Sequence, residues 1–126
     1  MIVDTSALIA ILREEPEADQ FIRALATRPS RISAPTLLET MIVGTPVRRI
    51  DVHGLLERTA TNVVPFDRNL TQLAAAAHEQ YGRGSGSPAR LNFSDCFSYA
   101  LAKAYDEPLL FKGEGFTHTD VRSALA

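Results

Sequence analysis

This sequence has little cysteine, a small net charge and no long apolar run. Its 126 residues include one cysteine, Cys96, which excludes an internal disulfide framework and is typical of a reducing compartment. The net charge of −2 is close to neutral and of the same sign as nucleic acid, so binding to nucleic acid would need a local basic patch or a bound cation. No apolar run could span a bilayer, and the opening segment lacks the basic residues of a signal peptide. We therefore expect one cytoplasmic domain, residues 1–126, with no leader and no membrane segment.

Short apolar segments alternate with helical patterns along the chain. We predict strands at 1–3, 31–33, 62–66 and 108–111. We predict helices at 7–13, 18–25, 36–43, 47–59, 70–81, 93–105 and 119–125, with a break at 44–46, although residues 48–52 could instead form a strand. Residues 82–88, GRGSGSP, are expected to form a surface loop. This alternation predicts a three-layer α/β fold, in which helices cover both faces of a mostly parallel, short-stranded sheet.

Acidic side chains follow the predicted strands, where ligands bind in open parallel sheets. Asp4 follows the first strand, Glu39 lies in the first turn of the predicted helix after the second strand, and Asp95 begins the helix at 93–105. Glu114 and Asp120 follow the last strand. Carboxylates this close repel one another unless a cation lies among them, and their oxygens are the ligands that Mg²⁺ and Mn²⁺ prefer. No His or Cys cluster points to zinc, so we predict a carboxylate site for one or two divalent ions.

Each acid also has a purely structural interpretation. Glu39 could close a capping box that begins at Thr36, and Asp95 could simply favour a helix N-terminus. Residues 117–120 also resemble a helix cap. For one acid alone the structural role is the more common, but the joint placement of several acids at strand ends favours the metal site.

The polar and basic neighbours of these acids have weaker predictions. Four side chains could orient the acids or cap the helices: Thr5, Ser6, Asn92 and Ser94. Three bases on loops could line a path for phosphates, although such bases are usually only solvated: Arg83, Arg90 and Lys112. Cys96 is expected to be a buried thiol, because it belongs to an apolar stripe with Phe93, Phe97, Ala100, Leu101 and Ala104. The three histidines are scattered, and we expect them at the surface: His53, His78 and His118.

With these residues in view, the chain resembles the PIN-domain ribonucleases, and within them the VapC-type toxins of toxin–antitoxin pairs. The resemblance is carried, in this order, by MIVDTSALIAIL, ISAPTLLET, VVPFD, LNFSDCFSYALAK and LLFKGEGFTHTDV. It implies a PIN-like fold and Mg²⁺- or Mn²⁺-dependent RNA cleavage, with Asp4, Glu39 and Asp95 as the catalytic acids. The family usually has another acid beside the Phe of the last motif, where this chain has Gly115. Glu114 and Asp120 are therefore the candidates for the remaining metal ligand.

The resemblance also implies partners. Such toxins form homodimers, act on RNA such as tRNA or other structured RNA, and are silenced by a VapB-like antitoxin that inserts a segment near the acidic groove. In this chain the helices at 7–12 and 36–43 could supply that groove, although both could equally be plain core. Two alternatives stay open: a degenerate member that binds RNA or antitoxin without cutting, and a phosphoryl-accepting receiver domain with Asp51 and Lys112 in the acceptor and lysine roles.

Overall fold

A short parallel sheet forms the centre of the molecule. The structure is a computed structural model that describes residues 1–44 and 49–125. Within these residues the strands are β1 (Ile2–Val3), β2 (Arg31–Ser33), β3 (Asn62–Val64) and β4 (Leu109–Leu110), in the order β3-β2-β1-β4. All three pairings are parallel, and Ile2 lies opposite Arg31 on one side and Leu109 on the other. The predicted parallel sheet is confirmed.

Helices pack on both faces of this sheet. They are α1 (Thr5–Leu12), α2 (Ala18–Thr27), α3 (Ala34–Val43), α4 (Arg49–Arg58), α5 (Arg68–Tyr81) and α6 (Asp95–Tyr105), with a 3₁₀ turn at Gly115–His118. Side chains alternate along a strand, so β1 sends Val3 into one core with α1 and α2, and Ile2 into the other core with α5 and α6. The predicted three-layer arrangement therefore follows from strands that are buried on both faces.

The segment after α3 has the most ambiguous pattern in the sequence. Gly44 ends α3 as its C-cap, as the predicted break requires, while Thr45 and Pro46 lie outside the described residues. The strand alternative is wrong for 49–52, because these residues form the first turn of α4. Asp51 lies in that turn and not at the end of a strand, which removes the receiver-domain interpretation.

The predicted terminal helix at 119–125 is wrong. Residues 119–125 contain no helix, and Ser123 instead forms a parallel bridge with Leu109 of β4. The N–H of Leu109 donates to the Arg122 carbonyl at 2.8 Å, and the N–H of Ala124 donates to the Leu109 carbonyl at 2.9 Å. These bonds satisfy the exposed edge of β4, which a terminal helix would have left open.

Two further expectations concern surface and membrane. The loop at 82–88 is exposed over most of its length, and Gly84 and Gly86 adopt positive φ angles of 87° and 89° that favour glycine. In the part of the chain that the structure describes, no helix has the length and apolar character needed to cross a bilayer.

Candidate functional site

Asp4 is a buried carboxylate at the junction of β1 and α1. Its side chain is 4% exposed, and it caps α1, since Oδ2 accepts the N–H of Ser6 at 3.0 Å and its hydroxyl at 2.6 Å. The capping role therefore belongs to Asp4 and not to Thr5 or Ser6. Oδ1 accepts the Ser98 hydroxyl at 2.5 Å. Burial raises the pKa of Asp4, repulsion from Glu39 raises it further, and the serine hydrogen bonds oppose the rise.

Asp95 is held at the start of α6 by a reciprocal pair of hydrogen bonds with Asn92. Oδ2 of Asp95 accepts the Asn92 N–H at 3.0 Å, and Oδ1 of Asn92 accepts the Asp95 N–H at 2.9 Å. The Asn92 side chain also accepts the Ser94 hydroxyl at 2.9 Å, so Asn92 performs the capping. Burial, with repulsion from Asp4 and Glu39, raises the pKa of Asp95 to about 6. Oδ1 of Asp95 accepts no hydrogen bond from the described residues and is available to a ligand.

Glu39 lies in the second turn of α3, because that helix begins earlier than the sequence predicted. Ser33 is the N-cap and accepts the Thr36 N–H at 3.1 Å, and Pro35 occupies the first turn, where its missing N–H costs nothing. The predicted capping box at Thr36–Glu39 is therefore wrong. The Glu39 carboxylate makes no hydrogen bond or ion pair within residues 1–44 and 49–125. The structure thus removes the purely structural interpretation of this residue.

The three acids meet at one cavity of about 310 Å³. Its lining also includes the predicted polar residues at both helix starts, Thr5, Ser6, Asn92 and Ser94. Asp4, Glu39 and Asp95 come from three well separated parts of the chain, and their mutual repulsion contributes to the raised pKa values of Asp4 and Asp95. Burial and mutual repulsion both disfavour the ionised form of these carboxylates, and a bound cation would offset both effects.

The chemical type of the donors fits a hard divalent ion, although the described carboxylates do not lie close enough together to bind one ion without moving. In the described residues, no group of three or more His, Cys, Asp or Glu is closed tightly enough to form a ready-made metal site. The side-chain donors of the three acids are nevertheless all oxygen, and two of these acids keep carboxylate oxygens that accept no hydrogen bond from residues 1–44 and 49–125. This chemistry suits Mg²⁺ or Mn²⁺, which retain several waters and bind through few carboxylates.

The two acids predicted as further ligands lie elsewhere. Neither Glu114 nor Asp120 lines the acid cavity. Asp120 accepts the Tyr99 hydroxyl at 2.7 Å and pairs with Lys103 at 2.8 Å, and these bonds lower its pKa although partial burial alone would raise it. A fourth acid does line the cavity beside Asp4, Glu39 and Asp95, but it is Glu15, which the sequence analysis did not select. A metal role for Glu114 or Asp120 stays a prediction that this geometry does not support.

The predicted basic residues differ in their relation to the cavity. Lys112 lines it but is paired with Glu15 and, at 3.1 Å, with Glu17. Its backbone N–H donates at 3.0 Å to the Ser6 hydroxyl, so the segment after β4 is tied to the group that holds Asp4. Neither Arg83 nor Arg90 lines the cavity, and both are exposed. The charge of Arg83 nevertheless opposes the rise in the pKa of Asp95 that burial causes.

Sequence reasoning also missed a buried hydroxyl network behind Asp4. Ser98 and Thr36 are each 1% exposed, and their hydroxyls are 3.5 Å apart. Thr40, fully buried, donates to the hydroxyl of Thr5 at 3.2 Å. The available signal was spacing: Ser98 follows Asp95 by three residues, and i, i+3 positions share one helix face. Buried polar groups require partners, so this network makes the position of Asp4 specific.

The chain matches known proteins over almost its whole length. The family model of the PIN domain matches residues 1–122. Ribonuclease VapC28 of Mycobacterium tuberculosis is 48% identical over 130 aligned residues, covering 99% of this chain and 98% of the relative. Ribonuclease VapC42 of the same species is 45% identical over 129 aligned residues, covering 98% of each.

Solved structures show the same fold at low sequence identity. The crystal structure of M. tuberculosis VapC20, described as a toxin that cleaves the sarcin–ricin loop, has a TM-score of 0.71 at 17% identity, covering 95% of both chains. A toxin–antitoxin complex from Klebsiella pneumoniae has a TM-score of 0.69 at 20% identity, covering 91% of this chain and 88% of that one. The expected PIN-like fold is confirmed, and the chain belongs to the PIN domain family.

Proposed function

We propose that this chain is a divalent-metal-dependent endoribonuclease, a VapC-type toxin that a cognate antitoxin neutralises. The observation that carries the proposal is the meeting of Asp4, Glu39 and Asp95 at one cavity. The relatives that cover nearly the whole chain are named as VapC ribonucleases, which supports RNA as the substrate class. The reaction is hydrolysis of a phosphodiester bond in tRNA or another structured RNA, in the cytoplasm.

Mg²⁺ or Mn²⁺ is the proposed cofactor. Asp4 and Asp95 would hold the ion, with Glu39 bound to it directly or through water. When bound, the ion supplies a water of lowered pKa and stabilises charge on the scissile phosphate. Without it, three carboxylates at the cavity would repel the polyanionic substrate.

The protein residues orient the acids. Ser6 and Ser98 donate to both oxygens of Asp4, which favours its ionised form and fixes its direction despite burial. Asn92 holds Asp95 through Oδ2, which would leave Oδ1 for the metal ion. Lys112 lines the cavity, and the N–H of Arg83 is bonded to the Leu91 carbonyl just before the turn that holds Asp95; both would contact the phosphates that flank the cleaved bond.

The proposed protein partners are a VapB-like antitoxin and a second copy of this chain. Leu38 is 58% exposed and Val43 is 46% exposed, and both lie on α3, the helix that carries Glu39. Val43 also lines the acid cavity. An apolar segment of an antitoxin that covers this side of α3 would close the cavity to RNA. The structural relative solved as a toxin–antitoxin complex supports this type of partner.

RNA cleavage by the purified chain tests the function. A pool of tRNA and other structured RNA is incubated with Mg²⁺ or Mn²⁺, with EDTA, and with the Asp95→Asn variant. The matched control is Asp67→Asn, because Asp67 likewise lies at a helix start and its carboxylate accepts a backbone N–H, that of Leu70 at 3.0 Å. Unlike Asp95, Asp67 is exposed and does not line the acid cavity. We expect cleavage that requires metal and Asp95 and is unchanged in Asp67→Asn. RNA binding without cleavage by the folded, metal-loaded chain would instead identify a degenerate member of the family.

A further inference from the structure

Phe93 is exposed, contrary to its place in the apolar stripe predicted for α6. The helix begins at Asp95, so Phe93 lies before it, and 76% of the residue is open to solvent. Its ring packs edge-on against Phe97 at a centroid distance of 4.9 Å, and Phe97 packs in the same way on Phe66 at 5.1 Å. The three rings form a row of edge-to-face contacts, and the outermost residue, Phe93, leaves most of its surface uncovered.

The exposed ring adjoins the acid cavity. Asn92 and Ser94, its two neighbours in the chain, both line that cavity, and Asp95 is two residues away, within about 7 Å along the backbone. On its other side, Phe93 lines an apolar cavity of about 320 Å³ with Phe66, Thr71, Ala74, Ala75, His78, Cys96 and Phe97. Neighbouring residues of one segment, 92–95, therefore line both the acid cavity, which suits a metal ion and a phosphate, and the apolar cavity, which suits an aromatic ring.

A basic side chain lies on the same side of the molecule. The N–H of Arg83 donates to the Leu91 carbonyl at 3.1 Å, which brings Arg83 beside the turn at 92–95. Its positive charge also opposes the rise in the pKa of Asp95 that burial causes. An RNA strand offers the matching sequence of groups, since each flat base is joined to a phosphate.

We propose that Phe93 is a stacking platform for a nucleobase of the RNA, next to the phosphate that enters the acid cavity. This inference rests on the proposed function and narrows its substrate to RNA with an unpaired nucleotide at the site, because a base in a continuous helix has no free face to stack on Phe93. A second protein copy seated on Phe93 would instead cover Asn92 and Ser94 and block entry to the cavity. Phe93 is therefore a positioning residue, and it contacts the base, not the reacting atoms.

The first test is the cleavage rate of a short single-stranded RNA of mixed sequence. We expect Phe93→Ala to lower kcat/KM by about ten-fold or more, and Phe93→Trp to retain it, since stacking depends on an aromatic face. The control is Tyr105→Ala, because Tyr105 is also an exposed aromatic (42%) but lies at the opposite end of α6, about 16 Å away along the helix. Cleavage by Phe93→Ala at the wild-type rate would overturn the stacking role while leaving the proposed nuclease intact. A wild-type chain that neither binds nor cuts RNA would overturn both.

The second test reports stacking directly. The chain contains no tryptophan, so Phe93→Trp introduces a single fluorescent indole. In an Asp4→Asn background, which keeps the RNA intact, we expect the short RNA to quench this fluorescence and a matching chain of abasic ribose phosphates to leave it unchanged. Equal responses to the two chains would overturn the proposal. Light scattering gives a further check. If Phe93→Ala converts a dimer into a monomer while each folded chain still cleaves RNA at the wild-type rate, the proposal fails, because Phe93 then contacts a second copy of the chain.

Discussion

Replacing Asp95 with Asn should make the metal-free protein more stable above about pH 7, although it abolishes cleavage. Asp95 is half-buried and has a pKa of about 6 in place of an ordinary 3.8, through burial and through repulsion from Asp4 and Glu39. Its ionised form is therefore less favourable in the folded chain than in the unfolded one. Asn keeps the oxygen that accepts the Asn92 N–H, so the cap of α6 survives the change.

The expected gain follows from this difference in pKa. At 1.36 kcal/mol per pKa unit, an undiminished effect would be about 3 kcal/mol, and solvent screening of a half-buried group reduces it to about 1–2 kcal/mol. Loss of a negative charge at a helix N-terminus opposes the gain by about 0.3–1 kcal/mol. We expect a net stabilisation of about 1 kcal/mol, or about 4 °C in Tm for a chain of this size.

The sign depends on pH in a defined way. Because the folded state holds its proton to a higher pH than the unfolded state, the stability of the wild-type chain falls as pH rises from about 4 to about 6. Below that window Asp95 is protonated in both states, so the variant should gain nothing there. Above it the full difference should be present.

Urea unfolding across this pH range, with EDTA present, measures the effect. Asp67→Asn is the matched control, because it removes a capping aspartate at an exposed helix start and reports the loss of charge alone. Adding Mg²⁺ should reverse the order of stability, since only the wild-type chain gains a strong ligand. If Asp95→Asn is no more stable than Asp67→Asn near pH 8, the carboxylates do not repel one another as the structure implies.

Three further predictions follow from other contacts. Ser98→Ala should lower the free energy of unfolding by about 1.5–3 kcal/mol, because it removes a hydrogen bond from the buried carboxylate of Asp4. The control Ser30→Ala removes a hydrogen bond between two neutral hydroxyls and should cost about 1 kcal/mol. Chemical denaturation at neutral pH compares the two variants, and equal losses would contradict the special role of Ser98. Mg²⁺ at about one hundred times its Kd should stabilise the wild-type chain by about 2.7 kcal/mol, and Asp4→Asn much less, in a thermal melt; equal shifts would place the ion elsewhere. Glu107→Gln should lower the free energy of unfolding near neutral pH by no more than about 1 kcal/mol, since the ion pairs are partly exposed. Burial alone would raise the pKa of Glu107, but its bonds to the amino terminus (2.7 Å) and Arg31 lower it overall, so the cost of the substitution should shrink as pH falls through that lowered pKa. Urea unfolding at several pH values measures this cost, and a cost that persists unchanged in acid would refute its ionic origin.

The sequence predicted the helices and strands well wherever local pattern and burial agree. The strands at 31–33 and the helices at 18–25 and 70–81 were located within two residues, because each joins an apolar period to a recognisable start or stop. The terminal segment failed for a physical reason. Residues 119–125 have local polar groups typical of a helix start, yet their backbone completes the edge of β4, and only the folded sheet presents that edge.

The candidate site divides in the same way. Asp4 and Asp95 could be identified from the sequence, because each lies where a strand or helix begins or ends, and parallel topology then brings them to one edge of the sheet. The amino-acid order likewise determined the buried strands and the pairing of Asp95 with Asn92, since these depend on neighbours in the chain.

Only the tertiary structure decided which remaining side chains join these acids. It placed Glu39 at the cavity, Ser98 against Asp4, and Asp120 outside that cavity, paired with Lys103. It also left Phe93 exposed beside the cavity, although its spacing predicted burial. These contacts join residues that are far apart in the sequence. Each buried polar or charged side chain needs a partner for its hydrogen bonds or charge, and the local sequence pattern does not specify which distant residue supplies it.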